Sequence, residues 1–361
     1  MNLHPHIRPR FNRTQLVMLD VIIALLPVLF AGWLAYGQVV LYQLGIAILS
    51  VLVTDFICSA IILKKYNTIL DGSAIVTAIL LVCTLAPLTP WYVVAFGSFS
   101  AILFGKIVWG GLGKNRFNPA LVGREFMTVF FSVAMTSPNL WKSADLIQQK
   151  PVNLFPGLDS NYVSDYLSGM IYKTNGAMGE YSILALIIGG FYLLLRNRIS
   201  WHIPLSLLLC WSVLCWIKGT SDLQYSLAGI LLGTLFMATD MPSSPTTANG
   251  KLYYGTMIGV CLFVFVKGGV RFEYMSYAIL LMNGFADKIS WVFKPITWGE
   301  KQDLKKKTEE IFLLTLQILT VAFAVLTLYW HGLTHYLVFV YIVYIIFKFN
   351  FSFTKNLKKY V

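Results

Sequence analysis

The sequence predicts an all-α polytopic membrane protein, and three observations carry that reading. Of 361 residues, 57% are hydrophobic and only 12% are charged, about half the charged share of a soluble domain. Mean hydropathy is +0.69. Apolar runs of about 17–25 residues recur from Leu16 to Asn350, each long enough for a hydrocarbon core of about 30 Å. Helices follow from that solvent, because a chain in lipid must satisfy its backbone hydrogen bonds within itself.

Twelve segments read as helices: 17–36, 40–63, 73–89, 91–110, 117–136, 181–195, 203–217, 225–239, 252–267, 274–292, 310–330 and 335–350. The first follows a basic stretch, MNLHPHIRPRFNRTQ. It is too long for a cleavable signal and lacks a small-x-small cleavage site. The second carries Asp55 and the fourth Lys106. Ionisable groups at such depth are costly and usually functional, so these two, able to pair, are the candidate ion pathway.

Three passages are broken by glycine or proline: DGSAIVTAILL (71–81), GGLGKNRFNPALVGREF (110–126) and ATDMPSSPTTANGKLYYG (238–255). Such breaks free backbone groups and are tolerated where they line a cavity or a ligand. The third segment opens on DGS and closes on APLTP, which predicts a half-helix or a tilted one. Between the fifth and sixth segments lies DYLSGMIYKTNGAMGE (165–180). It reads as a Gly-rich turn feeding a helix, with Glu180 near the positive end of that helix's dipole. The last two segments follow the hydrophilic KPITWGEKQDLKKKTEE and read as appended.

Segments one to five and six to ten each hold a break about two-thirds along, and an odd number of crossings per set inverts the second set. The expected organisation is a first membrane half at 1–136, an extracytoplasmic loop at 137–179 and a second half at 180–293. A basic linker at 294–309 and a two-span extension at 310–361 complete it. With the N-terminus cytoplasmic, the inside loops collect Arg8, Arg10, Arg13, Lys64, Lys65, Lys114, Arg116, Arg196, Arg198, Lys251 and the cluster Lys301, Lys305, Lys306, Lys307. That bias places both termini in the cytoplasm of a bacterial inner membrane. The net charge of +12 then reflects topology and contact with anionic lipid, not nucleic-acid binding.

Other chemistries find no support. The five cysteines form no Cys-x-x-Cys pair and the five histidines are dispersed, without metal-ligand spacing. No phosphate loop, dinucleotide fingerprint or Ser-His-Asp arrangement occurs in a strand–helix context. The NPA at 118–120 lacks the second copy that a water channel of two half-helices requires.

Five passages run in the order and spacing of one family: HPHIRPRFNRTQLVMLDVIIALLP, DGSAIVTAILL, GSFSAILFGKIVWGGLGKNRFNPALVGREF, RNRISWHIPLSLLL and ATDMPSSPTTANGKLYYGTMIG. Over roughly residues 1–300 the chain resembles the D subunit of the Rnf ion-translocating electron-transport complex. That family is similar to the B subunit of the Na+-translocating NADH:quinone oxidoreductase. The resemblance implies ten spans, electron transfer across the membrane and coupled movement of Na+ or H+. The partners it implies are the other membrane and peripheral subunits of such a complex, so the chain is a translocase subunit and not a stand-alone enzyme.

The resemblance also implies two flavins. One is FMN joined to the threonine of an Asp-x-x-Ser-Gly-Ala-Thr sequence in the extracytoplasmic loop. The other is a non-covalent flavin, riboflavin or FMN, nearer the cytoplasm, with Asn115 and Asn118 as its candidate contacts and Phe117 as stacking surface. Their spacing suggests two amides one helical turn apart on one cavity; the competing reading has Asn118 cap the fifth helix ahead of Pro119.

At the attachment motif Asp165, Ser168 and Gly169 match, but Met170 and Ile171 depart. Ile171 stands at the acceptor position without a hydroxyl, so no phosphoester can form there. Thr174, in the unmatched context YKTNG, is the alternative acceptor. The expectation is a chain without covalent FMN. That leaves a lost relay, a non-covalent flavin, or an electron route through a partner's cofactor. The alternative function is a transporter-like or scaffold subunit on the same fold with no redox cofactor of its own.

Overall fold

The computed structural model describes residues 13–66, 68–137, 140, 176–219, 223–295 and 303–357. Asp165, Ser168, Gly169, Met170, Ile171 and Thr174 lie outside the described residues. Among those described no strand occurs, and each of the twelve expected segments holds a helix. The helices are α1 (Arg13–Tyr36), α2 (Gln38–Cys58), α3 (Ser73–Cys83), α4 (Trp91–Gly105), α5 (Pro119–Phe130) and α6 (Ile183–Leu195). They continue as α7 (His202–Lys218), α8 (Leu227–Leu232), α9 (Ala248–Lys267), α10 (Tyr274–Val292), α11 (Leu304–Trp330) and α12 (His335–Leu357). Among the described residues, five stretches are long and apolar enough to cross a bilayer: Thr14–Tyr36, Gln38–Leu63, Trp91–Trp109, Ala248–Lys267 and Leu304–Trp330. Leu49, Ile61, Val133 and Trp216 stand 67–86% exposed on the periphery, where lipid rather than water is the natural solvent.

Two helices stop halfway. The 11 residues of α3 span about 16 Å, half a bilayer core. The apolar stretch Leu227–Met237, α8 plus a π turn, has the same extent. The sequence predicts that segment three reaches residue 89, but Pro87 and Pro90 cannot continue a helix and bias the residues before them away from it. Carbonyls of the loop that follows are taken up by a neighbour. The buried Gln43 of α2 donates its amide to Pro87 O, with Ala86 O and Thr89 O at 3.4 and 3.3 Å.

Packing repeats between the halves. In the first set α1 lies on α3, α2 on α4 and α4 on α5. In the second set α6 lies on α8, α7 on α9 and α9 on α10. The sets meet first helix to first and fifth to fifth, α1 against α6 and α5 against α10. Small residues bring the backbones together, as membrane helices without a hydrophobic drive between them require. A Cβ on Gly123 of α5 would sit 2.5 Å from Gly97 O of α4, and one on Gly255 of α9 would sit 2.7 Å from Ile203 O of α7. The end of α3 and the start of α8 lie close together, with Thr84 and Gly229 lining one small cavity.

Two further boundary differences bear on the site and on the C-terminal pair. The fifth segment becomes helical only at Pro119, with Asn118 outside it as N-cap, and is interrupted at Phe131 (φ −126°, ψ 41°). α11 starts at Leu304 rather than 310, because Asp303 caps it and accepts from Lys305 N and Lys306 N at 3.0 and 3.3 Å. The pair α11–α12 then grips both halves. Trp330 Nε1 donates to Gly268 O at 2.7 Å beyond α9, and Tyr341 Oη donates to Phe104 O at 2.8 Å in α4.

Candidate functional site

Polar residues gather at two junctions between the halves and at one ion pair inside the first. The first junction is the break before α5. Gly110, Gly111 and Gly113 adopt φ of 110°, 93° and 81°, a region closed to most side chains, and turn the chain back after α4. Asn118 then starts α5: its Oδ1 accepts from Ala120 N and Leu121 N at 3.0 and 3.4 Å. Its Nδ2 donates to Met237 O, the end of the second half-helix, at 3.3 Å. Asn118 is 2% exposed, so its amide both caps α5 and ties it to the opposite half.

Asn115 lies in the irregular stretch before α5, so the expected one-turn spacing on a common helix does not occur. It reaches the same place by another route, its Nδ2 donating to Asp240 Oδ2 at 3.2 Å just past α8. Asp240 also accepts from Ser243 Oγ at 2.8 Å. In the loop leaving the half-helix, burial pushes the Asp240 carboxyl up to about 6, against the pull of those two bonds. Asn283 of α10 completes the knot. Its Oδ1 accepts from Asn118 N at 3.1 Å, and its Nδ2 donates to Ser243 O and Tyr254 Oη at 3.0 and 2.7 Å. Phe117 points elsewhere, with its ring 5.9 Å from Trp109 and 5.8 Å from Tyr341, at the wall of a 660 Å³ cavity.

The second junction is at the facing ends of α3 and α8. Arg124 of α5 donates to Thr84 O, the C-cap carbonyl of α3, and to Phe272 O at 3.3 Å. The sequence places Glu180 at the head of α6, but the cap there is Ser182. The Glu180 carboxyl instead lies beside Gly229 at the start of α8, where a Cβ would meet its Oε1 at 2.8 Å. A cation therefore faces the negative end of one half-helix and an anion the positive end of the other. Glu125 and Glu273 are buried nearby, and Ser276 donates to Glu125. A 490 Å³ cavity opens here, lined by Arg124, Glu180, Ser226 and Tyr274. A smaller one continues from Arg124 and Glu180 to Met237 and so toward the first junction.

Asp55 and Lys106 do meet. Lys106 Nζ lies 3.0 Å from Asp55 Oδ1 and 3.8 Å from Asp71 Oδ2 at the foot of α3. Asp55 and Lys106 are 0% and 2% exposed, and Asp55 Oδ2 has no hydrogen-bond partner. Among the described residues no group of three His, Cys, Asp or Glu is placed to share a metal ion.

The sequence pattern singles out Asn115, Asn118, Asp55 and Lys106, but not Asp240, Asn283 or the Arg124–Glu180 arrangement. The signal for the latter is present in the breaks themselves, since each half-helix end needs a polar partner. For a flavin, Asn118 has little to offer beyond positioning, because its oxygen and one amide proton are engaged. Asn115 and Asp240 present a polar edge at the junction, while the Phe117 ring lies apart from them on the wall of the 660 Å³ cavity.

Residues 1–299 match the model of the NQR2, RnfD, RnfE family. The chain is 36% identical over 286 residues to the D subunit of the Na(+)-translocating ferredoxin:NAD(+) oxidoreductase complex of Acetobacterium woodii, covering 77% of this chain and 88% of that protein. It is 32% identical over 321 residues to the D subunit of the proton-translocating ferredoxin:NAD(+) oxidoreductase complex of Clostridium ljungdahlii, covering 82% and 95%. With the D subunit of the ion-translocating oxidoreductase complex of Pseudomonas aeruginosa the identity is 33% over 335 residues, again covering 82% and 95%. The family match stops short of α11 and α12.

Proposed function

The chain belongs to the NQR2, RnfD, RnfE family, and on that premise we propose that it is the D-type membrane subunit of an Rnf-type complex. In this role it couples transmembrane electron transfer to movement of Na+ or H+ in a bacterial inner membrane, with both termini in the cytoplasm. Its partners are the other membrane and peripheral subunits of the complex. The observation that carries the reading is the pair of opposed half-helices joined by buried polar knots, a device that places ion sites at mid-membrane in other inverted-repeat proteins. The ion route runs along these knots, with Asp55 and Lys106 as a charge pair that can open and with Arg124 and Glu180 at the half-helix ends. Named relatives move Na+ in one case and protons in another, so family membership leaves the ion open.

A non-covalent flavin, riboflavin or FMN, binds at the break before α5; when bound it supplies the one- and two-electron chemistry. Asn115 and Asp240 offer donor and acceptor edges, and Asn118 holds the turn that presents them, while the Phe117 ring faces the neighbouring cavity instead. No covalent FMN is carried, because Ile171 has no hydroxyl. A second reading, a scaffold subunit without its own cofactor, draws on the engagement of the Asn118 amide.

The test is to isolate the complex through a tag on this chain, identify its subunits and extract flavin with acid. Co-purification with redox subunits and extractable flavin in stoichiometric amount support the first reading. A complex that pumps ions while this chain holds no flavin supports the second. A chain that purifies without redox partners from native membranes overturns both.

A further inference from the structure

A cavity of 660 Å³ is walled on one side by α5 and α10 and on the other by α11 and α12. The family match does not reach α11 or α12, so half of this wall lies outside it. The volume falls in the range of small-molecule pockets, roughly 300–1,000 Å³. Its lining on α5 runs from Val122 to Val129, about 10 Å at the helical rise, and continues past the helix ends to Phe117 and Ser132. The two ends differ in chemistry. Near the α11–α12 turn the wall carries Ser132, Thr334 and His335, with Glu125 part-way along. Toward the break before α5 it is aromatic, ending on Phe117 and Tyr341.

Glu125 is the informative residue. It is 9% exposed, accepts from Ser276 Oγ, and still lines the cavity. A carboxyl facing a mostly apolar space, with hydroxyls and His335 toward one end, calls for a partner that can donate to it. It also disfavours an anionic one, as Glu273 is buried nearby. We propose that this cavity binds one lipid-soluble amphiphile with an uncharged, hydrogen-bond-donating head at Glu125 and an apolar body directed toward Phe117. The hairpin α11–α12 makes the site by covering the α5–α10 face, with Val338 packed against Val122 and Phe126.

The probe is monoolein, whose head is uncharged and carries hydroxyls, titrated into delipidated full-length chain in detergent and followed by native mass spectrometry. Oleate at pH 8 is the anionic control. The expected result is one tight monoolein adduct, with oleate at least tenfold weaker. Val338→Trp from α12 and Val325→Trp from α11 each fill the cavity and should each remove the adduct. Glu125→Leu should weaken it about tenfold, the scale of one hydrogen bond. Two tryptophan variants on different helices are used so that one remains informative if the other misfolds, as judged by thermal unfolding. An adduct that survives in a folded tryptophan variant, a wild-type chain without a tight adduct, or oleate binding as well as monoolein overturns the proposal.

Discussion

Lys106 Nζ lies 3.0 Å from Asp55 Oδ1 with both side chains buried, and the second carboxylate oxygen of Asp55 has no hydrogen-bond partner. A buried pair of this kind stabilises weakly as a pair but is costly to break, because removing one partner strands the other charge. Asp55→Asn should therefore destabilise the chain by about 3–5 kcal/mol. The double change Asp55→Leu with Lys106→Met should recover most of that loss. Thermal unfolding in detergent measures both. If the pair also belongs to the ion route, the double variant assembles normally and fails in ion uptake by inverted vesicles; normal uptake removes the pair from the route.

Asn118 and Asn115 should separate by experiment. Asn118→Ala loses both the cap and the bond to Met237 O and should cost about 2 kcal/mol, whereas Asn118→Ser keeps an acceptor for Ala120 N and should cost about 1 kcal/mol. Neither should change flavin content more than twofold. Asn115→Leu leaves the cap untouched and should lower flavin content about tenfold. Acid-extracted flavin per mole of chain is the readout. Full retention in Asn115→Leu would leave the break with a structural role alone.

Asp240 gives a pH dependence of defined sign. Its folded value of about 6 lies above the ordinary carboxylate value, so the folded chain holds the proton more tightly than the unfolded chain. Stability from this group is full below about pH 4 and is lost as pH rises through 6. Asp240→Asn removes that dependence. The variant should gain about 1–2 kcal/mol relative to wild type at pH 7.5 compared with pH 4.5. A difference that is flat or opposite in sign contradicts the assignment.

No covalent flavin should be detected on this chain. After denaturing electrophoresis, with the flavin transferase co-expressed, the band at 40.7 kDa should be dark under ultraviolet light. Met170→Ala with Ile171→Thr restores the acceptor sequence and should make it fluoresce. A fluorescent wild-type band that disappears in Thr174→Ala would mean the acceptor has moved three residues along.

Much of the architecture is legible in the sequence because bilayer thickness imposes a length on apolar runs. The shortness of α3 is visible in DGS and APLTP, and the cap at Asn118 in the proline that follows it. Other features depend on contacts between distant segments. Nothing in the sequence around Glu180 indicates that its carboxyl serves the start of α8 rather than of its own helix. Asn283 sits in an ordinary stretch of α10, and only the crossing of α5, α9 and α10 makes it a hub. The error at Asn115 has a local cause: three glycines with positive φ precede it and keep the chain out of helix until Pro119.

The hairpin α11–α12 leaves the ribosome after both halves, and its anchors are far apart in time. Trp330 bonds to Gly268 in the second half, while Tyr341 bonds to Phe104 and Lys348 covers the ring of Trp109 in the first, at 3.5 Å from its centroid. Those acceptors come within reach only after both halves have inserted and docked. The hairpin is thus a closing step in biogenesis, able to seat only on a correctly paired core. A core whose halves are misregistered would hold Gly268 O and Phe104 O at the wrong separation, so the hairpin could make one bond or the other but not both.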